Sequence, residues 1–234
     1  MISLSTAIST QTLKRLPMYL AYLRRVEGTR PNISATAIAE ALGLNQVQVR
    51  KDLASVSTSG RPRVGYVTCD IIREIETFLG YDNAHDAVLV GAGKLGRALM
   101  GYDGFRAYGL NIVAGFDREE AACEKTSCEK PVYPMERMAD LVRRLNVHIG
   151  IITVPASQAQ TVCDQLVSAG VLAIWNFAPA TLTVPEGVLV QSENMAASLA
   201  VLSNHLSERI AREEARETPH STNSGRNPEA DIES

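Results

Sequence analysis

A glycine-rich stretch directly follows an apolar run and opens a helical pattern; its sequence is Gly91-Ala92-Gly93-Lys94-Leu95-Gly96. In a strand–turn–helix context this spacing predicts a turn that binds a dinucleotide. The first glycine permits the tight turn, the second lets the backbone approach a pyrophosphate, and the third lets the helix pack on the strand. Free N–H groups at the helix N-terminus favour the bound phosphates. The alternative is a glycine-rich turn that binds no nucleotide.

An acidic residue, Asp117, ends the next apolar run, 21 residues after Gly96. A carboxylate at this point can accept hydrogen bonds from an adenosine ribose and repels a 2′-phosphate, which favours NAD(H) over NADP(H). The neighbouring Arg118 weakens that preference. Two later turns, Thr153-Val154-Pro155 and Asn176-Phe177-Ala178, should complete the crevice, because ligands of such sheets lie beyond the carboxyl ends of the strands.

The four histidines do not supply the acid–base group that a nicotinamide-dependent dehydrogenase needs near the hydride carbon. His85 falls in a polar joint, His148 inside a predicted strand as an interior or sheet residue, His205 on the last helix and His220 in the tail. No acid–base candidate stands at the strand-end turns. The sequence therefore predicts a protein that binds the nucleotide without reacting it, and an NAD-dependent oxidoreductase with a small regulatory head is the main alternative.

Cys123 and Cys128 stand five positions apart, which leaves a thiol-based peroxide sensor as a further alternative. No second pair of cysteines or histidines lies near them, so we expect no metal site.

A second kind of chemistry is suggested by the charge of the N-terminal part. Residues 1–67 contain nine lysines and arginines against three acidic residues, a formal charge of +6, whereas the whole chain carries −3. A basic head on an acidic body suggests a polyanionic partner.

The third predicted helix presents polar residues that suit DNA bases and phosphates, and a turn after it adds two arginines. Arginine pairs with guanine and asparagine or glutamine with adenine, while arginines in such a turn can enter an A·T-rich minor groove. The candidate DNA contacts are Asn45, Gln46, Gln48, Arg50, Lys51, Arg61 and Arg63. The alternative is a three-helix module that binds proteins.

The elements that must position these residues begin with a winged helix-turn-helix. Helical spacing predicts helices at 12–25, 34–41, 46–56 and 70–79, and residues 57–66 suit a β-hairpin wing. The apolar side of the third helix is expected to be Val47, Val49 and Leu53.

After a joint at residues 81–85, the pattern alternates between strand and helix. Strands are predicted at 87–90, 112–116, 147–154, 172–177 and 188–191, and helices at 95–102, 135–145, 158–169 and 195–212. Continuous apolar strands between helices predict an α/β, doubly wound parallel sheet. We expect a DNA-binding domain at 1–80, a dinucleotide-binding domain at 86–193, a C-terminal helix at 194–213 and a disordered tail at 214–234.

Composition fits an ordinary globular protein, with 234 residues of which 45% are hydrophobic and 21% are charged. No apolar run is long enough to cross a membrane, and the N-terminus does not resemble a secretory signal. The cysteines form no disulfide framework, so we expect a cytoplasmic protein with reduced thiols.

The chain resembles the Rex family of redox-sensing transcriptional repressors over about residues 12 to 206. The residues that carry the resemblance are Lys14-Arg15-Leu16-Pro17, Val49-Arg50-Lys51-Asp52-Leu53, Val90 to Leu99, Gly115-Phe116-Asp117, Thr153 to Ala156, Asn176 to Pro179 and Val184 to Val188. The resemblance implies a homodimeric bacterial repressor that binds operator DNA and is released by NADH. It also implies that the last helix, Met195 to Arg212, is exchanged between the subunits.

Several positions depart from the family pattern. Val56-Ser57 replaces the usual Phe-Gly, and Arg63 replaces a glycine in the wing. The family commonly places an aspartate before the exchanged helix, which alternates between a basic residue of the first helix and a tyrosine of the nucleotide domain. The matching switch residues here are Asn194 with Met195 beside it, Arg15 and Tyr102. Asparagine cannot form an ion pair, so we expect the protein to distinguish NADH from NAD⁺ less strongly, or through different contacts, than the family commonly does.

Overall fold

The computed structural model describes residues 8–119 and 130–217. The chain divides into two compact units, one that ends at Gln191 and one that begins at Ser192. The predicted DNA-binding and dinucleotide-binding parts lie together in the first unit. Cys123 and Cys128 lie outside the described residues.

The first part of this unit is a winged helix-turn-helix. Its elements are α1 (Thr10–Val26), β1 (Asn32–Ile33), α2 (Ala35–Leu42), α3 (Gln46–Val56), β2 (Tyr66–Val67) and α4 (Thr68–Leu79). Ser9, Ser34 and Asn45 cap the first three helices with their side chains, as their residue types favour. The core between the helices is built on fully buried residues, among them Leu16, Tyr19, Leu23, Ile38, Val49, Leu53, Ile71 and Ile75.

The prediction for the buried face of α3 was wrong at one position. Val49 and Leu53 are fully buried, but Val47 has 52% of its surface exposed. The residue buried beside Val49 and Leu53 is instead Asp52, at 2% exposure. Apolar periodicity cannot predict that a charged residue such as Asp52 lies on the inner face of a helix. The apolar pattern therefore predicted Val47 on that face instead.

The wing is smaller than the predicted hairpin. It is a tight turn from Arg61 to Gly65, closed by hydrogen bonds in both directions between these two residues. The returning strand β2 pairs antiparallel with β1, which precedes α2 in the chain. Arg63 adopts a left-handed conformation with φ 65°, which costs a residue with a side chain about 1 kcal/mol.

The second part is a six-stranded sheet in the order β5-β4-β3-β6-β7-β8. The strands are β3 (His85–Val90), β4 (Leu110–Asp117), β5 (Val132–Pro134), β6 (Ile149–Ile152), β7 (Ala173–Asn176) and β8 (Leu189–Ser192). The pairs β3–β4, β3–β6, β4–β5 and β6–β7 are parallel. The strand order reverses at β3 and β6, which makes the gap between their carboxyl ends the expected ligand crevice.

Helices cover both faces of this sheet, which confirms the doubly wound prediction. They are α5 (Lys94–Met100), a 3₁₀ helix (Asp103–Tyr108), a 3₁₀ turn (Met135–Arg137), α6 (Met138–Arg144) and α7 (Ala156–Ala169). Alternate residues of β3 enter the two cores: Val88 and Val90 face one, and Ala87 and Leu89 the other. His148 was predicted as an interior or sheet residue. It is not interior, because β6 begins one residue later and His148 is exposed, but its carbonyl accepts hydrogen bonds from Leu172 and Ala173 at the edge of the sheet.

The described residues of the second unit, 192–217, contain one long helix, α8 (Met195–Glu217). Asn194 caps it, since its side-chain oxygen accepts the N–H of Ala197 at 2.9 Å. An apolar stripe along α8 is exposed and consists of Met195, Leu199, Leu202, Leu206 and Ile210. In the described part of the chain, no helix is both long enough and apolar enough to span a membrane.

Candidate nucleotide pocket and nucleic-acid interface

The three glycines of the turn after β3 have different surroundings. Gly91 has φ 101°, and a Cβ on it would collide with the backbone of Thr153. A Cβ on Gly96 would collide with the carbonyl of Gly91. A Cβ on Gly93 would meet no atom within 4 Å. The first and third glycines are therefore needed for packing, while the second leaves open space at the N-terminus of α5, as a bound phosphate requires.

Hydrogen bonds from neighbouring strands hold this turn in place. The Thr153 hydroxyl donates to the carbonyl of Gly91 at 2.7 Å, which ties the end of β6 to the turn. The Asp117 carboxylate accepts the N–H of Ala92 at 2.6 Å. Arg97 donates from Nε to the carbonyl of Ala92 at 2.7 Å. The turn is thus fixed from both sides of the crevice before any ligand binds.

An open pocket of about 780 Å³ lies against the turn, within the range typical of small-molecule and cofactor sites. Of the predicted nucleotide contacts, nine line it: Gly91, Ala92, Gly93, Lys94, Asp117, Arg118, Thr153, Val154 and Pro155. Asp117 and Arg118 lie side by side on its wall, where the sequence predicted a ribose.

The other predicted nucleotide contacts lie elsewhere. Leu95, Gly96, Asn176, Phe177 and Ala178 do not line this pocket. The buried side chain of Asn176 instead shapes its own turn, accepting the N–H of Ala178 at 2.9 Å and donating to the carbonyl of Ala180 at 2.9 Å. Its place at a strand end suggested a ligand contact, but its hydrogen-bonding capacity serves the backbone.

Sequence reasoning missed the wall contributed by α7. The lining residues on α7 are Ser157, Gln158, Thr161, Val162 and Gln165, and the pocket is also lined by Arg97 of α5 and by Met135. The signal was available, because a helix that starts directly after Pro155 must begin at the same sheet edge as the glycine-rich turn.

A row of aromatic rings lies beside β7. Tyr102 contacts Phe105 edge-to-face at 4.9 Å between ring centroids, Phe105 contacts Trp175 at 5.5 Å, and Trp175 contacts Phe177 at 4.8 Å. Tyr102, a predicted switch residue, is 53% exposed. The row therefore ends in a tyrosine that is accessible from solvent.

Several predicted DNA contacts on α3 have partners within the protein. Asn45 accepts the N–H groups of Val47 and Gln48 as the helix cap. The oxygen of the Gln46 amide accepts from Thr36 at 3.3 Å, and the Gln48 amide donates to Asp52 at 2.9 Å. The exposed cations of this helix are Arg50 and Lys51. In the wing, Arg61 and Arg63 are exposed.

Asp52 is the centre of a buried hydrogen-bond network between α1 and α3. Its two oxygens accept from Arg15 at 2.7 and 3.0 Å, and from Tyr19 at 2.7 Å. Thr12 and Gln48 donate to it at 3.1 and 2.9 Å. Burial alone would raise the pKa of Asp52, but these hydrogen bonds outweigh it and hold the pKa below its usual value. Burial and the bond to Asp52 raise the pKa of Tyr19 to about 12.

This network gives the switch residue Arg15 a partner within the winged helix. The family resemblance implies that Arg15 contacts position 194 in one redox state, and that prediction stands beside the two-pronged ion pair that Arg15 makes with Asp52. Asp52 was not among the predicted functional residues, since a lone acid in a helix gives no signal of its buried partners.

Two family models match the chain. Residues 82–180 match the model described as "CoA binding domain", and residues 7–54 match "Putative DNA-binding protein N-terminus".

Curated and solved relatives extend over most of the chain. The redox-sensing transcriptional repressor Rex of Porphyromonas gingivalis is 43% identical over 204 residues, which cover 87% of this chain and 94% of the relative. The crystal structure of RSP in complex with β-NAD⁺ and operator DNA has a TM-score of 0.81 at 31% identity and covers 92% of this chain and 100% of RSP. The crystal structure of RSP in complex with β-NADH has a TM-score of 0.79 at 30% identity and covers 90% of this chain and 99% of RSP. The chain therefore belongs to the Rex family of redox-sensing transcriptional repressors.

Proposed function

We propose that this protein is a repressor that binds operator DNA as a homodimer and leaves it when NADH occupies the pocket beside Gly93. The carrying observation is that an open glycine turn, with Asp117 beside it, lies in the same compact unit as a helix-turn-helix with exposed Arg50 and Lys51. The solved complexes of RSP, one with NAD⁺ and operator DNA and one with NADH, support the same assignment. Since operator DNA is its target, we place the protein in the cytoplasm.

The residues around the turn suit a dinucleotide. The N–H groups of Gly91 and Ala92 already donate to Phe116 and Asp117, so in this proposal the N–H groups of Gly93 and Lys94 hold the pyrophosphate. The Asp117 carboxylate accepts the N–H groups of Ala92 and Glu119, one on each oxygen, and a carboxylate has further lone pairs that can accept a ribose hydroxyl. The nicotinamide supplies a ring whose charge differs between NAD⁺ and NADH, and we place it near Thr153-Val154-Pro155 and Phe177-Ala178. Asn176 then acts on the nucleotide through the turn that it shapes.

The exposed stripe on α8 supports a dimer. Each of its leucines contributes about 1.5–3 kcal/mol if it is buried against a partner, and the five residues of the stripe, Met195 to Ile210, are between 46% and 64% exposed. We propose that two chains exchange this helix. NADH then acts through its different affinity for the two arrangements of the dimer, only one of which presents both α3 helices to the operator.

The test is a mobility-shift titration of the full-length protein on an A·T-rich palindromic duplex with NADH or NAD⁺. We expect NADH to dissociate the complex and NAD⁺ to leave it intact. Arg50→Ala should weaken specific binding about 10- to 100-fold, as the loss of a base contact does, with unchanged NADH affinity. A complex that survives saturating NADH would overturn the proposal. Steady NADH absorbance across a panel of carbonyl substrates is expected of a repressor, whereas turnover would favour the oxidoreductase.

The second candidate function is that of a Rex paralogue whose redox response is weaker than is usual in the family. It is suggested by Asn194, which stands where the family commonly has aspartate. Asn194→Asp is a clean test, since aspartate caps a helix as well as asparagine does and the cap to Ala197 is retained. We expect the aspartate to strengthen NADH-driven release by up to about fivefold, the range of an exposed ion pair. Asn194→Ser retains a cap without charge and should behave like the wild type. Equally strong release by the wild type and by Asn194→Asp would refute the weakened response.

A further inference from the structure

The exposed face of α3 is apolar at its centre. Four exposed residues follow one another there at helical spacing: Val47, Arg50, Lys51 and Ala54. Val47 is 52% exposed. Single exposed apolar residues are common on protein surfaces, but this valine lies on the helix face that carries the exposed cations Arg50 and Lys51, so any DNA that these cations attract also meets Val47.

The fold determines the direction in which Val47 points. Val49, Asp52 and Leu53 are buried and define the inner face of α3. Because an α-helix turns by about 100° per residue, Val47 lies nearly opposite the centre of that face. It occupies the first turn, which the Asn45 cap fixes by accepting the N–H of Val47 at 2.9 Å. In a helix-turn-helix the N-terminal residues of the second helix are those that contact base edges.

The chemistry of the base edges favours one partner for such a side chain. Phosphates are charged, and the apolar C–H groups of the sugars lie on the DNA backbone rather than on the base edges that the N-terminal residues of this helix face. In the major groove, the apolar group on the base edges is the methyl group of thymine. We propose that Val47 is a specificity-determining residue that contacts a thymine methyl group of the operator. This inference rests on the proposed function, and Arg50 and Lys51 on either side supply the attraction to the DNA.

The test uses duplexes that the full-length protein selects from a random-sequence pool in the presence of NAD⁺. Each thymine of the selected half-site is replaced in turn by deoxyuridine, which removes only the methyl group. We expect one position at which the wild type binds about fourfold more weakly, the effect of one buried methyl-sized group. Val47→Ala should bind the thymine duplex more weakly by a similar factor and should not respond to deoxyuridine at that position.

Leu145→Ala is the matched control, because Leu145 is a 50% exposed apolar residue of the nucleotide-binding part. It should keep the full response to deoxyuridine. The inference is overturned if no deoxyuridine weakens binding by the wild type, or if Val47→Ala loses affinity equally on both duplexes. A pool that yields no enriched duplex would overturn the proposed function itself, which separates the two failures.

Discussion

Gly93→Asp is expected to abolish the release of operator DNA by NADH while the protein remains folded and binds the operator. The new carboxylate would lie at the N-terminus of α5, where the pyrophosphate is proposed to bind. Two like charges about 4 Å apart in a partly shielded site repel by about 4 kcal/mol, which corresponds to a loss of NADH affinity on the order of several hundredfold. Calorimetric NADH titration measures this loss, and mobility shifts measure operator binding.

The structure indicates that this variant will fold. Gly93 has φ −70° and ψ −167°, a conformation open to any residue, and its Cβ would meet no atom within 4 Å. Aspartate is also a good helix cap, so we expect an unchanged or slightly raised melting temperature. Gly93→Asn has the same size and capping ability without the charge, and it should retain more NADH affinity than Gly93→Asp. Unimpaired NADH-driven release by Gly93→Asp would place the nucleotide elsewhere.

The two proposed activities meet at a junction between α1, α4 and the 3₁₀ helix Asp103–Tyr108. Arg24 of α1 binds Glu76 of α4 at 2.7 Å and reaches the carbonyl of Ala107 at 3.4 Å. Tyr81 and Tyr108 contact each other edge-to-face at 5.2 Å. The same 3₁₀ helix carries Phe105 of the aromatic row. The winged helix and the nucleotide-binding part are therefore joined by direct side-chain contacts at this junction.

Much of the fold could be predicted because its signals are local and periodic. The helix-turn-helix has a capping residue before each helix and Gly43 in the left-handed conformation between them. The last four residues of strand β3, Ala87 to Val90, form a continuous apolar run that is buried on both faces and is followed by the glycine turn. Strand β5 was missed because it has three residues, too few for a pattern, and the 3₁₀ helix has no buried residue to mark it.

The sequence predicts the residues of the candidate site only where the position of the backbone itself brings them to the pocket. The glycine turn and Asp117 follow from chain order, since parallel strands bring their carboxyl ends to one edge. Asn176 and Gln48 were predicted as ligand contacts from their residue types and their places at a strand end and on the third helix, yet their amides hydrogen bond within the protein. The partner of a polar side chain can be near in the chain, as for these two amides, or far from it, as for Asp52 and Arg15, which are 37 residues apart. The periodicity of the sequence cannot predict hydrogen-bonded pairs such as Asp52 and Arg15.

Removal of the buried carboxylate of Asp52 is expected to have the largest effect on stability. Asp52→Ala leaves Arg15, Tyr19, Thr12 and Gln48 without their shared acceptor, and loss of one partner of a buried ion pair costs about 3–5 kcal/mol. Urea unfolding of the full-length protein should show this loss as a lower free energy of unfolding of the winged helix. Because the network joins α1 to α3, operator affinity should fall as well. The matched control is Asp140→Ala, which breaks an exposed pair with Arg144 at 3.4 Å and should cost less than about 1 kcal/mol.

Asp52→Asn removes the charge of the side chain and keeps its shape, so the difference in the free energy of unfolding between this variant and the wild type should depend on pH. The pKa of Asp52 is lowered from 3.8 in the folded protein, so folding favours the carboxylate. Its contribution is complete above that ordinary value and is lost as the pH falls through the lower folded pKa. The free energy of unfolding of the wild type should therefore exceed that of Asp52→Asn by a constant amount between about pH 5 and pH 7. The gap should narrow below pH 3.8, and a gap that stays constant in acid would mean that the carboxylate does not supply the stability.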